Sequence, residues 1–163
     1  MVSGPSLLVL SKEDLADPTI TQAWLDEYHA QGIEAVAVDA RNRRDLRQVE
    51  DRIMELAKPA LDRAERKGMA GRVPRVMVTG IPNTGKSSLI NALSKRSAMT
   101  TSDRPGVTRG ATWIRNRDGR IEWLDTPGVL WPKLETEKEQ VNLAATGAIR
   151  DQVLPLEDVA YFL

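Results

Sequence analysis

Hydrophobic and polar positions along the chain form short apolar runs separated by longer segments with helical spacing. The apolar runs 7–10 and 33–38 are typical of strands in a parallel sheet. Between them, Asp17 is placed to cap a helix that begins at Pro18 and ends at Gly32. The large apolar residues of this helix fall on one face: Ile20, Trp24 and Tyr28.

A second helix is predicted from Asp45 to about Gly68, with Pro59 expected to kink it. The basic stretch 66–75 contains glycines and a proline, which predicts an exposed connector. The apolar positions that define this helix are Leu46, Val49, Ile53, Leu56, Ala60 and Ala64.

The pattern continues with a strand over 76–78 and a helix that opens at Ser88. Residues 97–110 show little periodicity, and we expect them to be mobile. Strands at 112–115 and 121–124 flank a turn and predict a hairpin. The last elements are a helix over 139–150 and a segment from Leu156. Because strands alternate with helices, the predicted fold class is α/β with a mostly parallel sheet.

The segment between the strand 76–78 and the next helix is a complete phosphate-binding loop, Gly80-Ile81-Pro82-Asn83-Thr84-Gly85-Lys86-Ser87. Its glycines let the backbone curl so that successive amides point at phosphate oxygens, and the start of the following helix adds to that field. The lysine can bridge the outer two phosphates, and the serine hydroxyl can ligate Mg²⁺. The predicted nucleotide-binding residues here are Asn83, Thr84, Gly85, Lys86, Ser87 and Ser88.

Asp125-Thr126-Pro127-Gly128 stands at the end of a predicted strand, where a nucleotide hydrolase needs an acid that holds Mg²⁺ through water. Gly128 supplies an amide that could sense the terminal phosphate. Thr108 can bring a hydroxyl to Mg²⁺ and close over the triphosphate. The predicted metal-binding residues are therefore Ser87, Thr108 and Asp125.

A base-reading element is expected where a strand ends, as a lysine and an aspartate two residues apart. Lys12 and Asp14 follow the run 7–10, and Asp14 would accept hydrogen bonds from guanine N1 and N2. Ala40 would offer its amide to the guanine oxygen. By itself, this charged segment is equally typical of a loop or a helix cap.

Composition narrows the class of protein. The 163 residues suit one compact domain. The absence of cysteine excludes disulfides and thiolate metal sites. No apolar run approaches the ~20 residues that span a bilayer, so we expect a cytoplasmic protein with no membrane partner.

The formal net charge is zero, but positive charge is concentrated between residues 95 and 120. This basic stretch is either a surface for a polyanionic partner or an ordinary solvated surface. Its cations are Lys95, Arg96, Arg104, Arg109, Arg115, Arg117 and Arg120, against the acids Asp103 and Asp118.

The order of the motifs resembles the circularly permuted GTPases that assist assembly of the large ribosomal subunit, because the guanine-reading elements precede the phosphate loop. The most specific segments of the resemblance are 80–87, 103–108, 124–133 and 144–149, and it covers nearly the whole chain. It implies a P-loop NTPase three-layer sandwich, GTP or GDP with Mg²⁺, and GTP hydrolysis. It also implies the large-subunit precursor and its RNA as partners, and no DNA.

The resemblance further implies a hydrophobic residue, Val129, where many GTPases keep a water-orienting glutamine. Members of this family are thought to compensate with K⁺, held partly by a loop asparagine that matches Asn83. A second interpretation is that Asn83 only tolerates the backbone angles of the loop. The predicted catalytic residues are Lys86, Thr108, Gly128 and Asn83.

Two departures from the family affect these expectations. Ser11 stands where asparagine is usual, so one contact to the base or the loop is expected to be weaker. We expect residues 1–163 to form a single G domain without the family's amino-terminal segment and carboxy-terminal helical domain. The sheet would then close over the missing strand or present two unpaired edges. The family is also thought to use a histidine near its amino terminus in hydrolysis, and His29 is not expected to replace it.

Three functions are thus considered. The first is a GTP hydrolase of ribosome assembly. The second is a non-catalytic or truncated guanine-nucleotide-binding module without competent hydrolysis. The third is an ATP-using P-loop enzyme in which Lys12 and Asp14 do not contact the base.

Overall fold

The computed structural model describes residues 4–94, 112–116, 118–126 and 136–147. They form two compact units. The first contains residues 4–75 and 118–122, and the second contains residues 76–94, 112–116, 123–126 and 136–147.

The first unit is built on two parallel strands, β1 (Leu8–Ser11) and β2 (Ala35–Val38). A parallel pair needs a crossover connection, and α1 (Pro18–Ala30) provides it after a short 3₁₀ turn (Glu13–Leu15). Both α1 and the following α2 (Arg43–Arg66) contact β2. The buried apolar residues of this unit are Ala35, Val36, Val38, Val49, Ile53, Ala64 and Ile121.

Side-chain caps fix where the two helices begin. The Asp17 carboxylate accepts hydrogen bonds from Thr19 N and Ile20 N at 2.8 and 3.0 Å, which confirms the predicted cap of α1. Asn42 Oδ1 accepts from Arg44 N at 2.9 Å, so α2 begins two residues before the predicted start. The predicted start of α2 was too late because the apolar spacing of this helix begins only at Leu46. Pro59 lies inside the helix, as predicted.

The apolar face of α1 is largely exposed. Ile20 and Trp24 keep 59% and 54% of their surface in solvent, and the rings of Trp24 and Tyr28 stack with centroids 5.8 Å apart. Near the end of the helix, His29 Nε2 lies 3.1 Å from the Ala35 carbonyl oxygen. That hydrogen bond links α1 to β2 and gives His29 a structural role.

The second unit holds most of a three-stranded sheet in the order β3-β5-β4, together with two helices. The strands are β3 (Arg75–Val78), β4 (Thr112–Arg115) and β5 (Glu122–Asp125), and the helices are α3 (Lys86–Ser94) and α4 (Glu137–Ala145). The apolar core of the unit consists of Leu89, Ile90, Leu93, Ile114, Trp123 and Val141.

The helix predicted over roughly 139–150 is confirmed near its start, since α4 begins at Glu137, but its predicted end was wrong, because α4 ends at Ala145. Gly147 takes a left-handed conformation (φ 71°), and its N–H donates to Ala144 O at 2.8 Å. This is the usual way for a glycine to end a helix. The predictions for 97–110 and for the segment from Leu156 lie outside the described residues.

The α/β class is confirmed by the alternation of strands and helices and by the parallel pairing of β1 with β2. The strands in the described ranges form one two-stranded and one three-stranded sheet. Within the same ranges, no helix has the length and apolar character needed to cross a membrane.

Candidate functional site

The phosphate loop leads from β3 directly into α3. Asn83 and Gly85 take positive φ angles of 54° and 87°. Glycine adopts such angles without strain, and asparagine does so more readily than most other residues. The backbone N–H of Leu89 donates to Gly85 O at 2.8 Å, so the amides before Leu89 lie at the open end of the helix. This geometry suits an anion.

The carbonyl oxygen of Ile81 holds the inside of the loop together. It accepts the Lys86 ammonium at 2.6 Å and the Thr84 hydroxyl at 3.0 Å. Burial lowers the pKa of Lys86 below its ordinary value, and the negative charge of Asp125 opposes this shift. The lysine is thereby held within the loop, with a carboxylate near its charge.

Ser87 and Asp125, two of the three predicted metal ligands, are in direct contact. The Ser87 hydroxyl donates to Asp125 Oδ2 at 2.8 Å, and Asp125 is fully buried at the end of β5. The next residue, Thr126, donates from its hydroxyl to Val78 O at 2.7 Å, which ties the segment after β5 to β3. Two hard oxygen ligands therefore lie side by side, next to the phosphate loop.

The side chain of Asn83 reaches the end of α4. Its amide Nδ2 donates to Gly147 O at 2.6 Å. Sequence reasoning did not find this partner, although the glycine that follows α4 lies in the family-specific segment 144–149. Asn83 therefore has a side-chain contact in addition to its unusual backbone angle.

In the first unit, the candidate base-reading residues follow two strands that end together. Ser11 pairs in register with Val38, so Lys12 and Asp39 both leave the same edge of the parallel pair. Lys12 takes a left-handed conformation (φ 61°), which turns the chain into the segment that carries Asp14. Ala40 lies in the turn after β2, where Asn42 N donates to Asp39 O at 2.9 Å. Asp14 and Ala40 are thus both presented at the carboxyl edge of these strands.

Arg41, which sequence reasoning missed, joins this cluster. Its side chain donates to Asp39 from Nε at 3.0 Å and from Nη2 at 3.1 Å, and Nη2 also donates to Asp14 at 2.5 Å. The hydrogen bonds from Arg41 hold the pKa of the Asp39 carboxyl below its ordinary value. The sequence signal that could have identified Arg41 is its position directly after the predicted Ala40.

The remaining candidates divide into two groups. Thr108 and Gly128 lie outside the described residues, as does most of the basic stretch. Ser88, Arg115 and Arg120 are described and exposed. In the described ranges, no group of three or more His, Cys, Asp or Glu could hold a metal ion. The Ser87 and Asp125 pair does not belong to that class of metal site, because it offers only one carboxylate together with one hydroxyl.

Several known proteins are similar to this chain. Residues 75–160 match the sequence model of a family described as "50S ribosome-binding GTPase". Ribosome biogenesis GTPase A of Priestia megaterium is 45% identical over 163 residues, covering 99% of this chain and 56% of the relative. Mitochondrial ribosome-associated GTPase 1 of Mus musculus is 34% identical, covering 98% of this chain and 50% of the relative. The chain thus spans about half the length of these relatives.

Among solved structures, the GDP-bound structure of TM YlqF is similar, with a TM-score of 0.60 and 25% identity, covering 94% of this chain and 55% of that chain. GNP-bound YlqF from Thermotoga maritima matches with a TM-score of 0.61 at 24% identity. These matches confirm the predicted P-loop α/β fold of the circularly permuted GTPase type.

Proposed function

Because this chain belongs to the 50S ribosome-binding GTPase family, we propose that it binds GTP with Mg²⁺ and hydrolyses it to GDP and phosphate. The observation that carries the proposal is the contact between Ser87 and the buried Asp125, next to a phosphate loop that holds Lys86 inside it. A magnesium site of this class combines a loop hydroxyl with one strand-end carboxylate.

The residues present fit Mg²⁺, since a hydroxyl and a carboxylate 2.8 Å apart are the hard oxygen ligands that this ion prefers. Ser87 would ligate Mg²⁺ directly, Asp125 would hold it through water, and Thr108 would add a second hydroxyl. The bound ion would neutralise charge that develops on the phosphates. Lys86 would exchange its bond to Ile81 O for a bond to phosphate oxygens.

The other loop residues have separate roles in the proposal. The amides of Asn83, Thr84, Gly85, Lys86, Ser87 and Ser88 would bind the phosphates, and Gly128 would sense the terminal one. Asn83 would help to hold a K⁺ ion that offsets negative charge in the transition state, since Val129 cannot orient the attacking water. We propose that Lys12, Asp14 and Ala40 read the guanine base.

The proposal extends to partners and organisation. The printed names of the relatives refer to ribosome biogenesis and to ribosome association, which supports a ribosome-related partner. We propose that the partner is the large-subunit precursor and its RNA, that the protein acts in the cytoplasm, and that residues 1–163 serve as one G domain. The exposed Arg115 and Arg120 belong to the basic stretch that would face the RNA.

The first test is displacement of a fluorescent guanine nucleotide by GDP and by ADP, with Mg²⁺ present. We expect displacement by GDP, little displacement by ADP, and loss of the preference in Asp14→Asn. Equal displacement by both nucleotides would favour an ATP-using enzyme. Guanine selectivity without phosphate release in potassium buffer would favour the non-catalytic module.

A second test concerns the partner. The double substitution Arg115→Glu and Arg120→Glu should weaken binding to large-subunit particles and leave GDP affinity unchanged, because it reverses charge in the basic stretch only. Arg63→Glu, an exposed arginine on α2, is the matched control. Unchanged binding of the particles would contradict an RNA role for the stretch.

A further inference from the structure

Arg41 lies between two carboxylates of the first unit and donates hydrogen bonds to both. Asp39 accepts hydrogen bonds from three donors of Arg41, namely N, Nε and Nη2, and Asp14 accepts one from Nη2. The two acids come from different segments, since Asp14 lies in the 3₁₀ turn after β1 and Asp39 directly follows β2. One guanidinium therefore joins the two segments that contain the candidate base-reading residues.

The stability of the fold does not account for this arrangement. The Arg41 side chain is 74% exposed, and exposed ion pairs contribute little to the free energy of unfolding. The planar guanidinium is nevertheless held in one orientation by its contacts with Asp39, because its donors have a fixed geometry. The Asp14 side chain, 26% exposed, is therefore bound by a donor that cannot easily turn.

The contact leaves Asp14 able to accept further hydrogen bonds. Only Oδ2 accepts from Arg41, and in the part of the chain that the structure describes Oδ1 accepts no hydrogen bond. A carboxylate can accept about four hydrogen bonds through its two oxygens. The pair of donors on the guanine edge, N1–H and the 2-amino group, can still bind to an Asp14 that Arg41 already orients.

We propose that Arg41 is a positioning residue for base recognition, holding the Asp14 carboxylate in the orientation that reads the guanine 2-amino group. This inference rests on the proposed function, because it requires Asp14 to contact the base. The opposite role, in which Arg41 competes with guanine for Asp14, predicts tighter guanine binding when the guanidinium is removed. The sign of the change in affinity separates the two roles.

The experiment measures affinities of the full chain for GDP and for inosine diphosphate, which lacks the 2-amino group. In Arg41→Ala we expect GDP affinity to fall about 3- to 10-fold, as for loss of one hydrogen bond's net contribution. Inosine diphosphate affinity should change much less, so the preference for GDP should shrink. Arg41→Lys should lie between the wild type and Arg41→Ala, because it keeps the charge without the planar fork.

Two further variants sharpen the test. Arg43→Ala, an exposed arginine two positions along the chain, should leave the GDP preference unchanged. Asp39→Asn weakens the hold on Arg41 and should lower the preference in the same direction as Arg41→Ala. Tighter GDP binding in Arg41→Ala, or equal loss of affinity for both nucleotides, would overturn the inference.

Failure of the inference can be told apart from failure of the proposed function. If the wild type does not prefer GDP to ADP, or if Asp14→Asn keeps that preference, the assignment of Asp14 to the base is wrong. If Asp14→Asn abolishes the preference and Arg41→Ala keeps the ratio of GDP to inosine diphosphate affinity, the positioning role alone is wrong.

Discussion

The phosphate loop and the cluster of candidate base-reading residues (Lys12, Asp14, Asp39, Ala40 and Arg41) hold their charged groups in place in different ways. In the loop, Lys86 is bound by the backbone oxygen of Ile81, and Ser87 by the fully buried Asp125. In the cluster, the exposed Arg41 bonds to Asp14 across 27 residues of sequence. The proposed phosphate site is thus built mainly from one continuous segment, whereas the proposed base-reading site depends on side chains that strand pairing brings together.

The largest expected effect concerns Asp125, the fully buried partner of Ser87 in the phosphate-loop region. Asp125→Asn keeps the shape of the side chain and an oxygen for the Ser87 hydroxyl, but it removes the charge that would hold Mg²⁺. We expect GTP hydrolysis to fall about 100-fold or more, measured as phosphate release at saturating Mg²⁺. Asp118→Asn, an exposed acid, is the control. If both variants hydrolysed GTP equally fast, Asp125 would have no part in the site.

A smaller effect separates the two interpretations of Asn83. Asn83→Gly accepts the positive φ but loses the side-chain amide, whereas Asn83→Ala loses the amide and is strained by about 1–2 kcal/mol. Both variants should lose stimulation of hydrolysis by K⁺, and only the alanine variant should also carry the backbone strain, which urea unfolding would detect. Full potassium stimulation in Asn83→Gly would leave Asn83 with a backbone role only.

The smallest effect concerns the partly buried charge of Lys86. Its pKa is lowered in the folded chain, so between that value and the ordinary 10.5 the unfolded chain binds more protons. The free energy of unfolding of the wild type should therefore rise with pH relative to Lys86→Met. Urea unfolding without nucleotide from about pH 8 to about pH 10 measures this trend, with the exposed Lys67→Met as control. A constant difference between wild type and Lys86→Met would contradict the burial effect.

The difference between these two regions also explains which structural features could be predicted from the sequence. The cap at Asp17, the parallel strands and the phosphate loop depend on neighbouring residues, and all three could be predicted from local patterns. The end of α4 was misplaced because helical spacing extends past the glycine that stops it.

Long-range side-chain contacts were beyond such reasoning. Arg41 was missed because its partner Asp14 lies on another segment, and the bond from Asn83 to Gly147 spans 64 residues. The exposed face of α1 shows the same limit, since apolar spacing gives the face of a helix but not what covers it. Thr108 and Gly128 remain predictions from the sequence and the family.

The bond between Asn83 and Gly147 has a consequence for synthesis of the protein. A ribosome makes the chain from its amino terminus, and domains generally fold in that order. The phosphate loop is complete in sequence at Ser87, yet the oxygen that accepts its asparagine amide belongs to Gly147. A nascent chain that stops short of that glycine lacks this tether. Arrested chains of increasing length should therefore form the hydrogen bond between Asn83 and Gly147 only after that glycine has left the exit tunnel.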